Sequence, residues 1–451
     1  MTAQYSSLKP SKNKFNGQIP SHWNDVPIRS VCKIKSVQNN IGEELLSVFL
    51  DRGVVRYSDT SGKQVHKPSD DMSKYQLVEP RDIVLNNQQA WRGSVGVSQY
   101  RGIVSPAYIV MSLDESINDR FVNYMIRNQA CVAQFVLASK GVGSIQRILS
   151  PTKLKSSFFT LPPREEQDQI VRYLNWKVSQ INKQINLKKK QIELLKELNE
   201  QYIRALVFGE TINVPMKKIT DIPWLNRVPE HWQKARNKNV LFPTKTLVGD
   251  KSKEFQLLSL TTRGIIVRDI ESGKGKFPSD FSTYQNVKSG NLVFCLFDID
   301  ETPRTVGLSD LEGMITGAYD VFEVRNAMPE FLYYYYLSVD NAKALKPYYT
   351  GLRKVIKQDV FMRIPIYLPS IEEQNIIVGQ IIHNEKKIKN LIENFDRQIE
   401  QLIDLKKKIT FDAITGKIDV RTVEIPAYEN YEENGIEESM FDEDLETSEV
   451  D

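Results

Sequence analysis

The chain has 451 residues, of which 41% are apolar and 26% are charged, a composition typical of a globular protein. It is too long for one ordinary core, so its length predicts two or three domains. No window approaches the roughly 18 uninterrupted apolar residues that a membrane span needs, and the first residues hold no stretch that could serve as a signal peptide. The three cysteines, Cys32, Cys131 and Cys295, lie far apart, and a cytoplasmic location fits them best.

The net charge of +3 conceals an uneven distribution. All twelve charged residues after Arg421 are acidic, so residues 1–421 carry a net charge of +15. A basic body favours a polyanionic partner such as DNA. Residues 422–451 are expected to form a solvated, disordered tail. Competition between this tail and DNA for the basic body is the alternative interpretation.

An internal repeat organises the chain. The segment IPSHW at Ile19–Trp23 returns as VPEHW at Val228–Trp232, and LPPREEQ at Leu161–Gln167 returns as LPSIEEQ at Leu368–Gln374. The offset between matched segments stays between 207 and 211 residues, which indicates short loop insertions in one module that is used twice. Two copies of one binding module predict that the binding target has two half-sites.

Each module shows the same order of elements. Short β-rich runs separated by turns come first, and one amphipathic helix follows, over about residues 118–139 in the first copy and 329–345 in the second. After the LPP or LPS turn, each module ends in a long helix with apolar residues at heptad spacing. The predicted fold class is therefore α/β.

Neither heptad helix can bury its apolar seam alone. Pairing of the two helices is favoured, and packing of each helix onto its own domain is the alternative. Repeated modules in one chain tend towards a pseudo-two-fold arrangement, which predicts an antiparallel pair. Val171 and Leu174 should then lie near Ile409 and Ala413 and far from Val378.

The sequence lacks the motifs of catalytic chemistry. The four histidines are scattered, and neither they nor the cysteines have the spacing of a metal site. The sequence contains no phosphate-binding loop motif. The glycine-rich stretches at Gly141–Gly143 and Gly273–Gly275 lack the third glycine of a dinucleotide fingerprint. We therefore expect no cofactor, no metal ion and no catalytic site in this chain.

The best candidates for DNA-reading residues lie where the two copies differ, between the matched strand ends Leu85 and Phe294 and the matched glycines Gly96 and Gly307. Amide side chains suit adenine edges, arginine suits guanine or phosphate, and carboxylates accept from cytosine. Ordinary surface loops are the alternative. The predicted residues are Asn86, Asn87, Gln88, Gln89, Trp91 and Arg92 in the first copy, and Asp298, Asp300, Glu301, Thr302 and Arg304 in the second.

A second candidate segment precedes each LPP or LPS junction. Glycine permits close approach of the backbone to phosphate, although a loop that ends a helix would also use glycine. The residues are Lys140, Gly141, Gly143, Ser144 and Arg147 in the first copy and Thr350, Gly351, Arg353 and Lys354 in the second, with Arg263 as a further DNA-binding candidate. Trp23 and Trp232 are expected in the core of each module, and Tyr333–Tyr336 in packing.

These motifs resemble those of the specificity subunits of type I restriction-modification systems, over almost all of residues 5–420. The two junctions and the two HW segments carry the resemblance, together with Val84–Val110 and Phe294–Tyr319. The resemblance implies two globular α/β target-recognition domains in a pseudo-two-fold arrangement, joined by a long antiparallel two-helix coiled coil. The expected boundaries are residues 1–163 and 209–370 for the domains, 164–208 and 371–416 for the helices, and 417–451 for the acidic tail.

The resemblance also implies a function and partners. Each domain would read half of a bipartite target in double-stranded DNA. Two modification subunits would methylate adenine with S-adenosylmethionine, and two restriction subunits would use ATP and Mg²⁺. Two alternatives stay open, a recognition subunit of a methylation-only system and a non-catalytic coiled-coil protein scaffold.

Overall fold

The computed structural model describes residues 4–50, 52–60, 68–69, 71–141, 147–268 and 280–431. Two compact units are present: the first contains the described residues up to Leu187 together with residues 397–431, and the second contains the described residues between Lys188 and Asp396. Several residues singled out from the sequence lie outside the described residues, namely His66, Gly143, Ser144, Gly273, Gly275 and the acidic tail beyond residue 431.

The first unit is built around a four-stranded antiparallel sheet with small two-stranded sheets beside it. Its strands are β1 (Leu8–Pro10), β2 (Gln18–Pro20), β3 (Asn24–Pro27), β4 (Cys32–Lys35), β5 (Leu46–Phe49), β6 (Gly53–Arg56), β7 (Gln76–Val78), β8 (Ile83–Asn86), β9 (Val95–Val97), β10 (Gly102–Val104), β11 (Tyr108–Leu113), β12 (Ser139–Lys140), β13 (Ile148–Leu149) and β14 (Phe158–Leu161). Its helices are α1 (Ile28–Val31), α2 (Asp119–Ile126), α3 (Gln129–Ala138), α4 (Pro151–Ser156) and the first part of α5 (Arg164–Val207). The central order is β4-β11-β8-β9, and the pairs are β1-β2, β3-β14, β5-β6, β7-β10 and β12-β13.

The second unit repeats this topology. Its strands are β15 (Met216–Lys218), β16 (Arg227–Pro229), β17 (Gln233–Arg236), β18 (Leu241–Pro243), β19 (Leu258–Thr261), β20 (Gly264–Val267), β21 (Gln285–Val287), β22 (Leu292–Phe294), β23 (Val306–Leu308), β24 (Gly313–Ile315), β25 (Asp320–Val324) and β26 (Pro365–Leu368). Its helices are α6 (Pro329–Asn341), α7 (Gln358–Phe361) and the first part of α8 (Ile371–Ile414). The central order is β18-β25-β22-β23, and the pairs are β15-β16, β17-β26, β19-β20 and β21-β24.

The central strands are apolar on both faces, which explains their near-continuous hydrophobic sequences. In β8, Ile83 and Leu85 point into the main core and Val84 into a smaller core on the other face. Successive side chains of a strand point to opposite faces, so both faces of this sheet are covered. Val293 of β22 likewise lies in a different core from Leu292 and Phe294. The sequence repeat is thus a repeat of the fold.

Each HW motif is tied to the start of a long helix by one carboxylate. The Trp23 indole donates to Glu166 Oε1 over 3.0 Å, and His22 Nε2 lies 2.7 Å from Glu166 Oε2. In the second unit Glu373 has the same relation to Trp232, at 3.1 Å, and to His231, at 2.9 Å. Both tryptophans are buried, as expected.

The glutamine that follows each of these carboxylates makes a second link. Gln167 donates to the Pro162 carbonyl over 2.9 Å and accepts from the Asn118 backbone N–H over 3.0 Å. Gln374 makes the equivalent bonds to the Pro369 carbonyl and the Met328 backbone N–H. The EEQ motif therefore fixes the start of each long helix against the helix that follows the sheet.

The long helices run antiparallel in each unit. In the first unit Val171 and Leu174 share a core with Ile409, Ala413 and Ile414, and Lys406 donates to Asn182 over 3.2 Å. In the second unit Asn384 donates to Asn199 over 2.9 Å, and Val378 belongs to the core of that unit. The predicted α/β class and the predicted antiparallel direction are confirmed.

A short irregular segment, the strap (residues 420–431), packs along α5 in the first unit. Val420 is fully buried, and the Gln169 side chain donates to the carbonyls of Val420 and Val423 over 3.0 and 2.8 Å. Further along α5, Ser179 donates to the Glu429 carbonyl and Asn182 to the Tyr431 carbonyl. The prediction of a disordered tail is wrong for residues 422–431: most of their side chains are exposed, but Val423 and Ile425 pack against the core.

None of the described helices is long and apolar enough to cross a membrane.

The strap predicts that residues far along the chain stabilise the first unit. Val420→Asp should lower the free energy of unfolding of that unit by on the order of 3 kcal/mol, since it buries a carboxylate in an apolar site. Hydrogen exchange read by mass spectrometry should rise in residues 4–187 and stay unchanged in 188–396. Val267→Asp, at a side chain that is 49% exposed, is the matched control. Equal changes in both units would contradict the assignment.

Candidate nucleic-acid interface

In the first unit the predicted insert is a compact turn between β8 and β9. Ala90 is fully buried and anchors it, while Gln88, Gln89 and Arg92 are exposed. The Trp91 indole donates to the Gln88 carbonyl over 2.9 Å. The turn is therefore ordered, with two amide side chains and one guanidinium on its outer surface.

The second predicted segment of this unit lies directly beside the insert. The Leu149 backbone N–H donates to the Asn87 carbonyl over 3.1 Å. The Trp91 ring carries two guanidinium groups, Arg92 at 4.9 Å and Arg147 at 5.4 Å from its centroid. Because Arg147 comes from the hairpin β12-β13, which also carries the exposed Lys140, the two sequence candidates form one surface. Gly141 is also exposed beside Lys140, whereas Asn86 is half-buried at the end of β8.

In the second unit the two predicted segments also meet, through charged side chains. The Asp298 backbone N–H donates to the Arg353 carbonyl over 2.9 Å. Lys354 lies 3.4 Å from Asp300 and 3.2 Å from Glu301. The hydrogen bond from the Tyr349 hydroxyl and the nearby Lys354 ammonium hold the pKa of Asp300 below its usual value. These acids face the basic loop, whose ends Thr350 and Val355 are bridged.

Two predicted residues of this insert point elsewhere. Arg304 donates to the Asn341 side chain over 3.0 Å and lies 3.9 Å from Asp340, at the end of α6. The Thr302 carbonyl accepts from Lys343 over 2.8 Å. The structure thus directs Arg304 towards α6, whereas Gly351 and Arg353 are exposed in the loop. No local pattern predicts this pairing, because Asn341 and Asp340 lie at the end of another element, the helix α6.

A two-stranded hairpin flanks each insert, and one residue in it was missed by the sequence analysis. The hairpin β19-β20 carries Arg263 in its exposed turn, and the equivalent turn of β5-β6 carries exposed Arg52. In the first unit Leu50 Cδ1 lies 3.8 Å from the position that a Cβ on Gly93 would occupy, so the tip adjoins the end of the insert. Both hairpins contain a Leu-Ser pair, beginning at Leu46 and Leu258, and an Arg-Gly pair a few residues later. This shared pattern is the signal that could have identified Arg52.

Among the described residues, no group of three or more histidine, cysteine or acidic side chains is arranged to hold a metal ion. The three cysteines are buried and unpaired with one another. Burial raises the pKa of Cys32 to about 12 and that of Cys295 to about 11. Both thiols are therefore protonated at neutral pH and are poor nucleophiles.

No model of a protein family matches the chain. A similar curated protein is the type I restriction enzyme MjaVIII specificity subunit of Methanocaldococcus jannaschii, 25% identical over 379 residues, or 78% of this chain and 84% of that protein. Another protein of the same organism carries the name MjaX specificity subunit. It is 23% identical over 433 residues, which cover 90% of this chain and 96% of that protein.

Among solved structures, a chain from a type I restriction-modification system, described for its complex assembly and conformational transition, matches with a TM-score of 0.54. It is 13% identical and the match covers 89% of this chain and 99% of that one. This likeness shows the fold, and the two curated proteins show which sequences the chain is similar to over most of its length. The resemblance predicted from the repeated motifs is confirmed, since the curated proteins that match most of this chain are named as specificity subunits of type I restriction enzymes.

Proposed function

We propose that the chain is a DNA sequence-recognition subunit, which reads a bipartite target with its two units and directs partner enzymes to it. One observation carries the proposal. The same fold occurs twice, and in each copy an insert and a loop with different polar side chains meet at the same position. A protein that reads two different half-sites with one repeated fold needs different side chains at the same surface position of each copy.

The two surfaces offer different chemistry to DNA. In the first unit the exposed amides of Gln88 and Gln89 can pair with adenine edges, and Arg92 can reach guanine or phosphate. In the second unit Asp298 and Asp300 are engaged by the basic loop, so we assign them to positioning Arg353 and Lys354. This assignment differs from direct readout of cytosine by these carboxylates.

Catalysis is assigned to partner subunits. Two modification subunits would bring S-adenosylmethionine, and two restriction subunits would bring ATP and Mg²⁺. Leu194 and Leu198 of α5 and Ile376 and Ile382 of α8 are each more than half exposed. Exposed apolar side chains on long helices favour contact with another protein, and we propose this surface for the modification subunits.

The proposal is tested by gel retardation of DNA duplexes at increasing salt, followed by methylome sequencing of cells that express the full system. A recognition subunit binds DNA with a steep salt dependence and yields methylation at one bipartite sequence. A protein scaffold would give no salt-dependent retardation.

Changing the first insert should change one half of the target. The triple substitution Gln88→Ala, Gln89→Ala and Arg92→Ala removes the exposed polar groups, and we expect methylome sequencing to report relaxed bases in one half-site only. Arg353→Ala in the second unit is the matched control and should affect the other half. Uniform weakening on all DNA sequences would show that the insert is a phosphate-binding or folding element.

The long helices are expected to set the spacer between the half-sites. Each helix has 44 residues, or about 66 Å at about 1.5 Å per residue. Lys188 lies over the Phe395 ring, so Lys188–Leu194 faces Lys389–Phe395. Removing both heptads keeps the apolar seam in phase and shortens each helix by about 10 Å, close to three base pairs.

Methylome sequencing of this double deletion should report the same half-sites with a shorter spacer. Deleting only Lys188–Leu194 is the control, and it should abolish activity because the helices no longer pair in register. An unchanged spacer with full activity in the double deletion would show that another element sets the distance.

The purified chain alone should transfer no methyl group from S-adenosylmethionine to DNA and should not cut DNA in the presence of ATP and Mg²⁺. Addition of the partner subunits should produce methylation at the bipartite site. Radiolabelled methyl transfer measured with the chain alone would contradict a purely non-catalytic role.

A further inference from the structure

The hairpins β5-β6 and β19-β20 end in the same dipeptide although their turns differ in length. In the first unit Phe49 pairs with Gly53 across a three-residue tip, and in the second Thr261 pairs with Gly264 across a two-residue tip. The last tip residue is arginine in both, Arg52 and Arg263. Gly53 and Gly264 have φ angles of 73° and 103°, so backbone geometry accounts for the glycines.

Turn geometry, by contrast, does not require the arginines. Both side chains are exposed, and the turn geometry of either hairpin would accept other residues at these positions. The Arg52 guanidinium lies 4.8 Å from the centroid of the Phe49 ring. This contact holds the guanidinium at the tip and leaves its N–H groups at the surface, since stacking uses only the flat face.

Both hairpins are fixed against the strand that follows the insert. In the first unit a Cβ at Gly96 would lie 2.9 Å from Val54 N and 3.0 Å from Gly53 Cα, so the two backbones touch. The Ser94 hydroxyl donates to the Val48 carbonyl over 2.9 Å. Each arginine therefore has a defined place next to its insert.

In the second unit the hairpin packs on β23 through side chains. A Cβ at Gly307 would lie 2.6 Å from Leu260 Cδ1 and 2.9 Å from Ile265 Cγ1. Gly307 matches Gly96 of the first unit, so the hairpin occupies the same position beside the insert in both copies.

We propose that Arg52 and Arg263 form two equivalent phosphate-binding sites, whose ligand is the phosphodiester backbone of DNA beside each half-site. This inference rests on the proposed function. The inserts differ between the copies and so suit different bases, whereas a residue that is the same in both suits what both half-sites share. The sugar-phosphate backbone is shared by all sequences, and a guanidinium binds phosphate through paired N–H groups.

The test compares Arg52→Ala, Arg263→Ala and the double substitution with the unaltered chain, each assembled with its modification subunits. Dissociation constants are measured on a cognate duplex and on an unrelated duplex of equal length, at four salt concentrations. Each single substitution should weaken binding about ten-fold on both duplexes and reduce the slope of log K against log salt by about 0.9. The double substitution should reduce the slope by about twice that amount.

Two controls guard against loss of folding. Arg56→Ala, on β6, removes a guanidinium that lies 3.3 Å from Glu44 and stacks on Tyr100, and it should leave the slope unchanged. Arg52→Lys keeps the charge and should also keep the slope.

Three results would overturn the inference. Weaker binding of the cognate duplex only, or a changed methylated sequence, would make the arginines base readers. A slope equal to that of Arg56→Ala would show no phosphate contact. Absence of salt-dependent binding by the unaltered complex would reject the proposed function itself, and the two failures are therefore distinguishable.

Discussion

Each unit depends on a carboxylate at the start of a long helix. Glu166 is 6% exposed and accepts from the Tyr5 hydroxyl, the Trp23 indole and His22. A buried carboxylate is unfavourable unless its lone pairs are satisfied, and these donors come from the segment that precedes the sheet. Burial and the hydrogen bond to Glu166 raise the pKa of Tyr5, which keeps the phenol protonated as a donor. These bonds tie the start of the helix to the HW motif.

The same frame supports two surfaces of different chemistry because each insert is anchored by buried apolar residues. Ala90 is fully buried in the first insert and Ile299 is 1% exposed in the second. The exposed insert residues, among them Gln88, Gln89 and Arg92, can differ without changing the strands on either side. The charged groups of the two surfaces have different neighbours. Both surfaces hold guanidinium groups over an aromatic ring, and the second also places carboxylates among lysines and an arginine.

The features that the sequence predicted correctly depend on periodicity or on repeated motifs. The sequence predicted a long helix after each LPP or LPS turn, and in the structure these helices begin at Arg164 and Ile371. The partner of Arg304 was not predictable, because it depends on how α6 packs on β23. The strap was missed because its acidic composition obscured Val420 and Val423, and Arg52 because the two hairpin tips differ by one residue in length. The meeting of insert and loop in each unit is likewise a tertiary contact that local patterns do not encode.

The composition of the first unit imposes an order on folding. Its core needs Ala413, Ile414 and Val420, which follow the whole described part of the second unit in the sequence. Gly416, at a φ of 70°, packs against Pro20 and Trp23 without room for a side chain. During synthesis all described residues of the second unit are made before the last segment of the first unit. The first unit, whose translation begins earlier, is therefore completed later. In that interval the apolar groove around Trp23 lacks its covering segment. The first unit therefore cannot complete its core until Val420 has been synthesised.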